Sequence, residues 1–243
     1  LGYFEVACVD CKMSYISPFG KMLLSADAEG LTGVWFVGQK YFASRLQDAQ
    51  DVSVLNAADN PDASTVAHFP AVLNDFDDTA SNLVNVSSNF GDASNSVVQT
   101  SSIQANATQS SAVQALRMAK RWLDEYFTGI EPTVQVPLHL VGTDFQNEVW
   151  EILQTIPYGK TITYGDIAKQ IAAKRGIARM SSQAVGGAVG HNPVSIIVPC
   201  HRVVGSNGNL TGYAGGIDKK VALLTLEGLD MSAFSMPTKG TVS

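Results

Sequence analysis

Between Met13 and Val37 apolar residues come in short runs separated by turn chemistry. Residues 14–16, 21–26 and 31–37 read as three strands. Ser17-Pro18-Phe19-Gly20 and Asp27-Ala28-Glu29-Gly30 supply the turns of an antiparallel meander. Residues 38–46 look like the start of a helix. The pattern then fails over residues 47–112, which hold eight Asp, no Lys, Arg or Glu, and abundant Ser, Asn, Ala, Thr and Gln. Such a stretch buries too little apolar surface to offset its ordering entropy, so it is read as an acidic, mostly disordered insertion in a surface loop.

Helical spacing returns at Val113. Leu116, Ala119, Leu123, Tyr126 and Phe127 share a face, and Gly129 supplies the stop. Residues 130–140, with Pro132 and Pro137, read as an irregular extended linker. Thr143 and Gln146 form a capping box ahead of Phe145, Val149, Ile152, Leu153 and Ile156, and Pro157 closes that helix. Thr163 and Asp166 cap a second helix that runs to Ala173. After a turn holding Gly176, Ser181 or Ser182 caps a third over residues 183–189, which completes a helix-turn-helix pattern. The β-branched run at 194–198, bounded by Asn192-Pro193, reads as a buried strand ending in Pro199-Cys200-His201. The expected organisation is an unmatched leader at 1–12, a domain at 13–135 interrupted by the insertion, and a mainly helical domain at 136–243.

A chain of 243 residues is long enough for two modest domains. No apolar run nears transmembrane length and no charged-then-apolar leader opens the chain, so a soluble, cytoplasmic protein is expected. Residues 1–12 begin with Leu, and Met13 looks like the natural start. Three cysteines do not make a disulfide framework, and a reducing compartment suits a free thiol. Cys8 and Cys11 form a Cys-x-x-Cys with no second pair and no nearby histidine, so no metal site is expected there. Net charge is −6 but uneven: residues 1–140 carry 7 basic and 15 acidic side chains, residues 141–243 carry 9 and 7. The acidic excess is confined to the first part and does not argue against a nucleic-acid partner for the second.

Chemistry is expected at Cys200. A strand ending in Pro-Cys-His delivers a thiol at a fixed point with an imidazole next door, and the thiolate is the nucleophilic form of cysteine. Taken alone, the Cys-His pair leaves Cys200 read first as a small buried hydrophobe, a common fate of free cysteine. The third helix is rich in small residues: Ala184, Gly186, Gly187, Ala188 and Gly190. Glycine inside a helix costs about 1 kcal/mol relative to alanine, so adjacent glycines suggest close approach by another backbone. That backbone belongs either to a packed neighbour or to a ligand.

Asn192-Pro193, Pro199-Cys200-His201-Arg202-Val203, Gly212-Tyr213-Ala214-Gly215-Gly216 and Leu226-Glu227-Gly228 together resemble the active-site segment of a known family. It is that of the methylated-DNA–protein-cysteine methyltransferases, or O6-alkylguanine-DNA alkyltransferases. Ser17-Pro18-Phe19-Gly20 through Gly38-Gln39-Lys40-Tyr41-Phe42-Ala43 is similar to the amino-terminal domain of its bacterial members. The resemblance implies an α+β fold. A small amino-terminal antiparallel-sheet domain of ribonuclease-H-like type would precede a mainly helical, winged helix-turn-helix-like domain carrying the cysteine. It implies a cytoplasmic monomer that repairs double-stranded DNA without cofactor or metal. An alkyl group would move from O6-alkylguanine, and from O4-methylthymine, to Cys200 in a single turnover.

The family pattern assigns roles residue by residue. Cys200 is nucleophile and acceptor, His201 takes its proton through a bridging water, and Glu227 orients and charge-stabilises His201. Tyr164 donates a proton or hydrogen bond toward the guanine, and Asn192 ties the helix-turn-helix to the active-site strand by side-chain hydrogen bonds. Gln183, Ala184 and Gly187 lie on a recognition helix in the minor groove. Tyr213 walls the base pocket, and backbone groups of Cys200 and Val203 read the guanine edge; apart from that pattern, Arg179 and Arg175, close before Gln183, are candidates for phosphate contacts by position. Arg202 reads as a structural ion pair. One position departs from the pattern: Gln183 stands where the family usually has an arginine that fills the gap left by the flipped nucleotide. Glutamine wedges and hydrogen-bonds there without charge. The zinc ligands of some amino-terminal domains have no counterpart, since the four histidines stand at 68, 139, 191 and 201. Two rival readings remain, a non-catalytic sensor of alkylated bases and a cysteine hydrolase built on Cys200, His201 and Glu227.

Overall fold

Alternation along Cys11–Ser17 turns Cys11, Met13 and Tyr15 inward, as the period of a strand requires. This strand, β1, pairs antiparallel with β2 (Gly20–Ala26), and β2 pairs antiparallel with β3 (Leu31–Phe36). A two-residue β4 (Gln50–Asp51) runs parallel to β1, giving the order β3-β2-β1-β4. The structure, a computed structural model, describes residues 11–42, 50–51 and 98–236, with side chains over 11–42 and 111–236. Cys11 and Lys12 belong to the sheet rather than to a leader, with Cys11 fully buried. Cys8 lies outside the described residues, as does most of the acidic stretch.

The helix α1 (Val98–Tyr126) lies on the sheet through Ala112, Ala115, Leu116, Ala119, Leu123 and Tyr126. It starts well before Val113, where the apolar period begins. Once the packed turns nucleate a helix, propagation through Ser, Thr, Gln and Ala costs little. The expected helix after β3 is absent from its described part. Residues 38–42 form turns, and Tyr41 adopts φ 62°. Gln39 explains this, because its side chain accepts the Phe36 N–H at 2.9 Å and closes a local turn in place of a helix.

β3 is an edge strand, and the second half of the chain covers its open side. Leu31 N–H donates to Pro137 O at 2.8 Å and His139 N–H to Leu31 O at 3.0 Å, which docks the extended linker. Val34 N–H donates to Pro193 O and Ser195 N–H to Val34 O, each at 2.9 Å. The segment leading to Cys200 is thereby hung on the sheet.

The helices follow their caps. α2 (Asp144–Gln154) has the full Thr143/Gln146 capping box, α3 (Tyr164–Arg175) starts at Thr163 and stops at Gly176, and α4 (Ser182–Gly190) is capped by Ser181. Buried Trp150 of α2 donates Nε1–H to Ala188 O at 2.9 Å and fixes α4 in place. The helix α5 (Ile217–Leu226) carries Glu227 at its C-terminus. A short parallel pair, β5 (Ile162–Thr163) with β6 (Val203–Val204), links the start of α3 to the segment after Cys200. Sheet, α1 and the second-half helices share one continuous core.

Residues 194–198 do not form the expected strand. Val194 makes a single bridge to Val34 and the chain then turns, with Ile196 at φ 71°. A β-branched residue rarely adopts this conformation, and neighbouring bonds over-determine it. Asn192 accepts from Val194 N–H at 3.1 Å and donates to Val194 O at 3.2 Å and to Val198 O at 2.8 Å. The run is apolar because it is buried in the core, not because it lies in a ladder.

Candidate active site

Cys200 opens a single 3-10 turn, Cys200–Arg202, whose three side chains are all buried. The Asn192-stitched loop aims it, and its N–H donates to Val198 O at 2.8 Å. Burial pushes the thiol pKa up, while hydrogen bonding from Asn192, the Lys220 charge and local backbone N–H groups pull it down. At rest the group is a protonated thiol, and ionisation needs a base.

His201 is fully buried beside it. Its Nε2 lies 2.6 Å from Glu227 Oε1, while its Nδ1 finds no hydrogen-bond partner among the described residues. Glu227 accepts Tyr126 Oη–H at 2.7 Å on Oε1 and Gly159 N–H at 3.1 Å on Oε2. Arg202 grips the same carboxylate, with Nε 2.9 Å from Oε2 and Nη2 3.0 Å from Oε1, and spends Nη1 on Ile156 O at 2.7 Å. Burial raises the Glu227 pKa, but the bonds and charges of His201 and Arg202 outweigh it and hold the group at about 2. An ionised carboxylate only accepts, so Nε2 carries the imidazole proton and Nδ1 of neutral His201 is an acceptor. Burial lowers the His201 pKa against the pull of Glu227, which keeps the ring neutral until it takes a proton.

Lys220 closes the other side. It is fully buried, and its Nζ donates to Val203 O at 2.6 Å and Thr211 O at 2.8 Å. Burial lowers its pKa to about 8, with Cys200 pulling the other way. The Val203 carbonyl therefore has one lone pair left for any further donor. Tyr164, the first residue of α3, donates Oη–H toward Thr211 O and Gly212 O at 3.2 and 3.1 Å. Gly212 is required there: its φ is +67°, and a Cβ would sit 2.8 Å from Tyr164 Oη. Tyr213 is buried beside Cys200. Burial raises the pKa of both phenols and keeps them protonated.

On α4, Val185, Ala188 and Val189 face inward, and Gln183, Ala184 and Gly187 are exposed on one outer face. A methyl added to Gly187 meets nothing within 4 Å, and one on Gly186 only touches the Tyr164 ring at 3.8 Å. Among the described residues, no neighbouring backbone packs against either glycine. Arg179 is exposed and lines a cleft of about 460 Å³ between α3 and the following turn, with Lys169 and Ser182. Arg175 is instead committed to the protein, bound to Glu148 at 2.9 Å and lying over the Phe145 ring.

The family model described as 6-O-methylguanine DNA methyltransferase, DNA binding domain, matches residues 144–229. The methylated-DNA–protein-cysteine methyltransferase of Methanosarcina acetivorans is 53% identical over 112 residues, covering 46% of this chain and 69% of the relative. The chain belongs to this family. The enzyme of Mycobacterium tuberculosis H37Rv is 59% identical over 105 residues, 43% of this chain, and the match spans 61% of that relative's length. A crystal structure of Mycobacterium tuberculosis OGT in complex with DNA is similar at TM-score 0.58 and 31% identity, covering 92% of this chain and 94% of that one.

Of the residues singled out in the sequence, Cys200, His201, Glu227 and Asn192 form one connected group, with Tyr164, Tyr213 and Val203 around it. Lys220 and Tyr126 belong to the same group and went unassigned in the sequence. Lys220 was legible: positions 220, 223, 224 and 227 fall on one face of α5, so a lysine there is buried with Glu227. Tyr126 carried no signal beyond its core spacing.

Proposed function

We propose that the protein repairs alkylated DNA by moving the O6-alkyl group of guanine in a duplex onto Cys200, once per molecule. The observation that carries this is the buried Cys200-His201-Glu227 arrangement, with an acceptor at His201 Nδ1 and a proton fixed at Nε2. The thiol proton passes toward Nδ1, through water, and Glu227 stabilises the imidazolium. Sulfur attacks the alkyl carbon, the carbon–O6 bond breaks, and guanine leaves with the electron pair. On this reading Tyr164 supplies a proton or hydrogen bond to that purine. The thioether is stable, so Cys200 is not regenerated.

The exposed, slim face of α4 supports minor-groove entry, and Gln183 at its head supports a wedge role during base extrusion. O4-methylthymine is a second substrate on this reading. The protein acts as a monomer in a reducing, cytoplasmic compartment, where a free thiol persists. Among the described residues no helix is long and apolar enough to cross a membrane.

Mass spectrometry after mixing with one equivalent of duplex containing O6-methylguanine tests the reaction. One methyl is expected on the peptide bearing Cys200, without added methyl donor. Many turnovers per protein, or methyl on another residue, would sink it. The wedge is tested separately: Gln183→Ala should slow repair in duplex about tenfold more than in single strand, where no stack has to be opened. An unchanged duplex-to-single-strand ratio would make Gln183 a plain surface residue.

A further inference from the structure

The group around Glu227 includes a hydroxyl from outside the segment that carries the site. Tyr126 sits in the last turn of α1, the helix on the amino-terminal sheet, and is fully buried. Its Oη donates to Glu227 Oε1 at 2.7 Å and lies 3.4 Å from His201 Nε2. Trp122 stacks on its ring at 5.2 Å, while Phe127 and Tyr158 meet it edge-on at 5.4 and 6.0 Å. The packed ring leaves the hydroxyl one position. A phenylalanine would fill that space equally well, so the buried hydroxyl is there for the bond it makes.

We propose that Tyr126 is a positioning residue for the thiol-activating pair: its hydroxyl fixes the Glu227 carboxylate and, through it, the ring and tautomer of His201. This rests on the alkyl-transfer reading of Cys200, and it makes α1 part of the reaction machinery. Tyr126 and His201 Nε2–H share one acceptor, Oε1. Removing the hydroxyl leaves more of the carboxylate charge to the imidazole and favours its protonated form. The other charged and titratable groups facing the pair are Arg202 on the same turn, Lys220 of α5, Cys200, Tyr158 after α2, and Tyr213 in the loop before α5. Tyr158 donates elsewhere, to Leu226 O, and does not replace the lost bond.

The test is the rate of Cys200 methylation against pH for wild type, Tyr126→Phe and Tyr15→Phe. The last removes a hydroxyl-to-carboxylate bond made to Asp124 of the same helix, outside the site. Tyr126→Phe is expected to transfer about tenfold more slowly, with the acid limb of its profile moved up by roughly half a pH unit. Tyr15→Phe should keep the wild-type rate and midpoint. Should Tyr126→Phe not fold, 3-fluorotyrosine at position 126 keeps the shape and strengthens the donor, and the midpoint should move down. A wild-type rate and midpoint in Tyr126→Phe, or an unmoved midpoint in the fluorinated protein, overturns the proposal. Absence of methyl transfer by wild type overturns the reading of Cys200 instead.

Discussion

Glutamine in place of Glu227 is expected to remove about 3–5 kcal/mol of stability and most of the transfer rate. The carboxylate accepts from Tyr126, His201, Gly159 and Arg202, and its side chain has no exposed surface. An amide keeps the shape but puts an NH2 where the carboxylate accepts from Tyr126, His201 and Arg202, and leaves the Arg202 guanidinium buried without a counter-charge. His201 also loses the charge that stabilises its protonated form. Thermal unfolding and single-turnover transfer should fall together. The pH dependence has a definite sign. The folded pKa of about 2 lies below the ordinary value of 4.5. The bond network therefore contributes fully above pH 4.5 and is lost as pH falls toward 2, by roughly 3 kcal/mol. Acid unfolding of Glu227→Gln should lack this component. A variant that unfolds like wild type between those pH values would show that Glu227 does not hold the site together.

Lys220→Met is expected to separate rate from stability. The methionine follows the lysine stem through the core, and replacing a buried charge by an apolar group of similar volume is often neutral for folding. The chemistry should suffer, because Nζ joins the Val203 and Thr211 carbonyls and places a cation beside the thiol. Without it, thiolate formation is harder and the segment bearing Cys200 loses its tie to the loop at Thr211. Transfer should slow by about tenfold or more, with the Cys200 pKa raised. A second readout follows from Lys220 itself. Its folded pKa of about 8 lies below the ordinary 10.5, so between those values the unfolded chain binds more protons and stability rises with pH. That rise should vanish in Lys220→Met. A variant that transfers at the wild-type rate would reduce Lys220 to a filler of carbonyl lone pairs.

Elements written in local pattern were legible in the chain. The meander follows from period-two runs and turn residues, and α2, α3 and α4 start at their capping residues. The Cys200, His201 and Glu227 positions carried a family pattern, and the structure brings them together. Residues 194–198 were legible as buried but not as a turn. An apolar run reports how deep a segment lies, whereas a ladder needs a neighbour whose register the sequence does not display.

Tertiary structure alone decided three matters. It left the space beyond Gly187 open among the described residues, which the run of small residues in the sequence does not display. It turned Arg175 toward Glu148 while leaving Arg179 exposed, although both stand in one short basic stretch. And it brought the hydroxyl of Tyr126 to a carboxylate 101 positions further along the chain. Local periodicity is written in neighbouring residues and survives in the sequence. The partner of a buried polar atom depends on how distant segments pack, and that is settled only when the chain closes on itself.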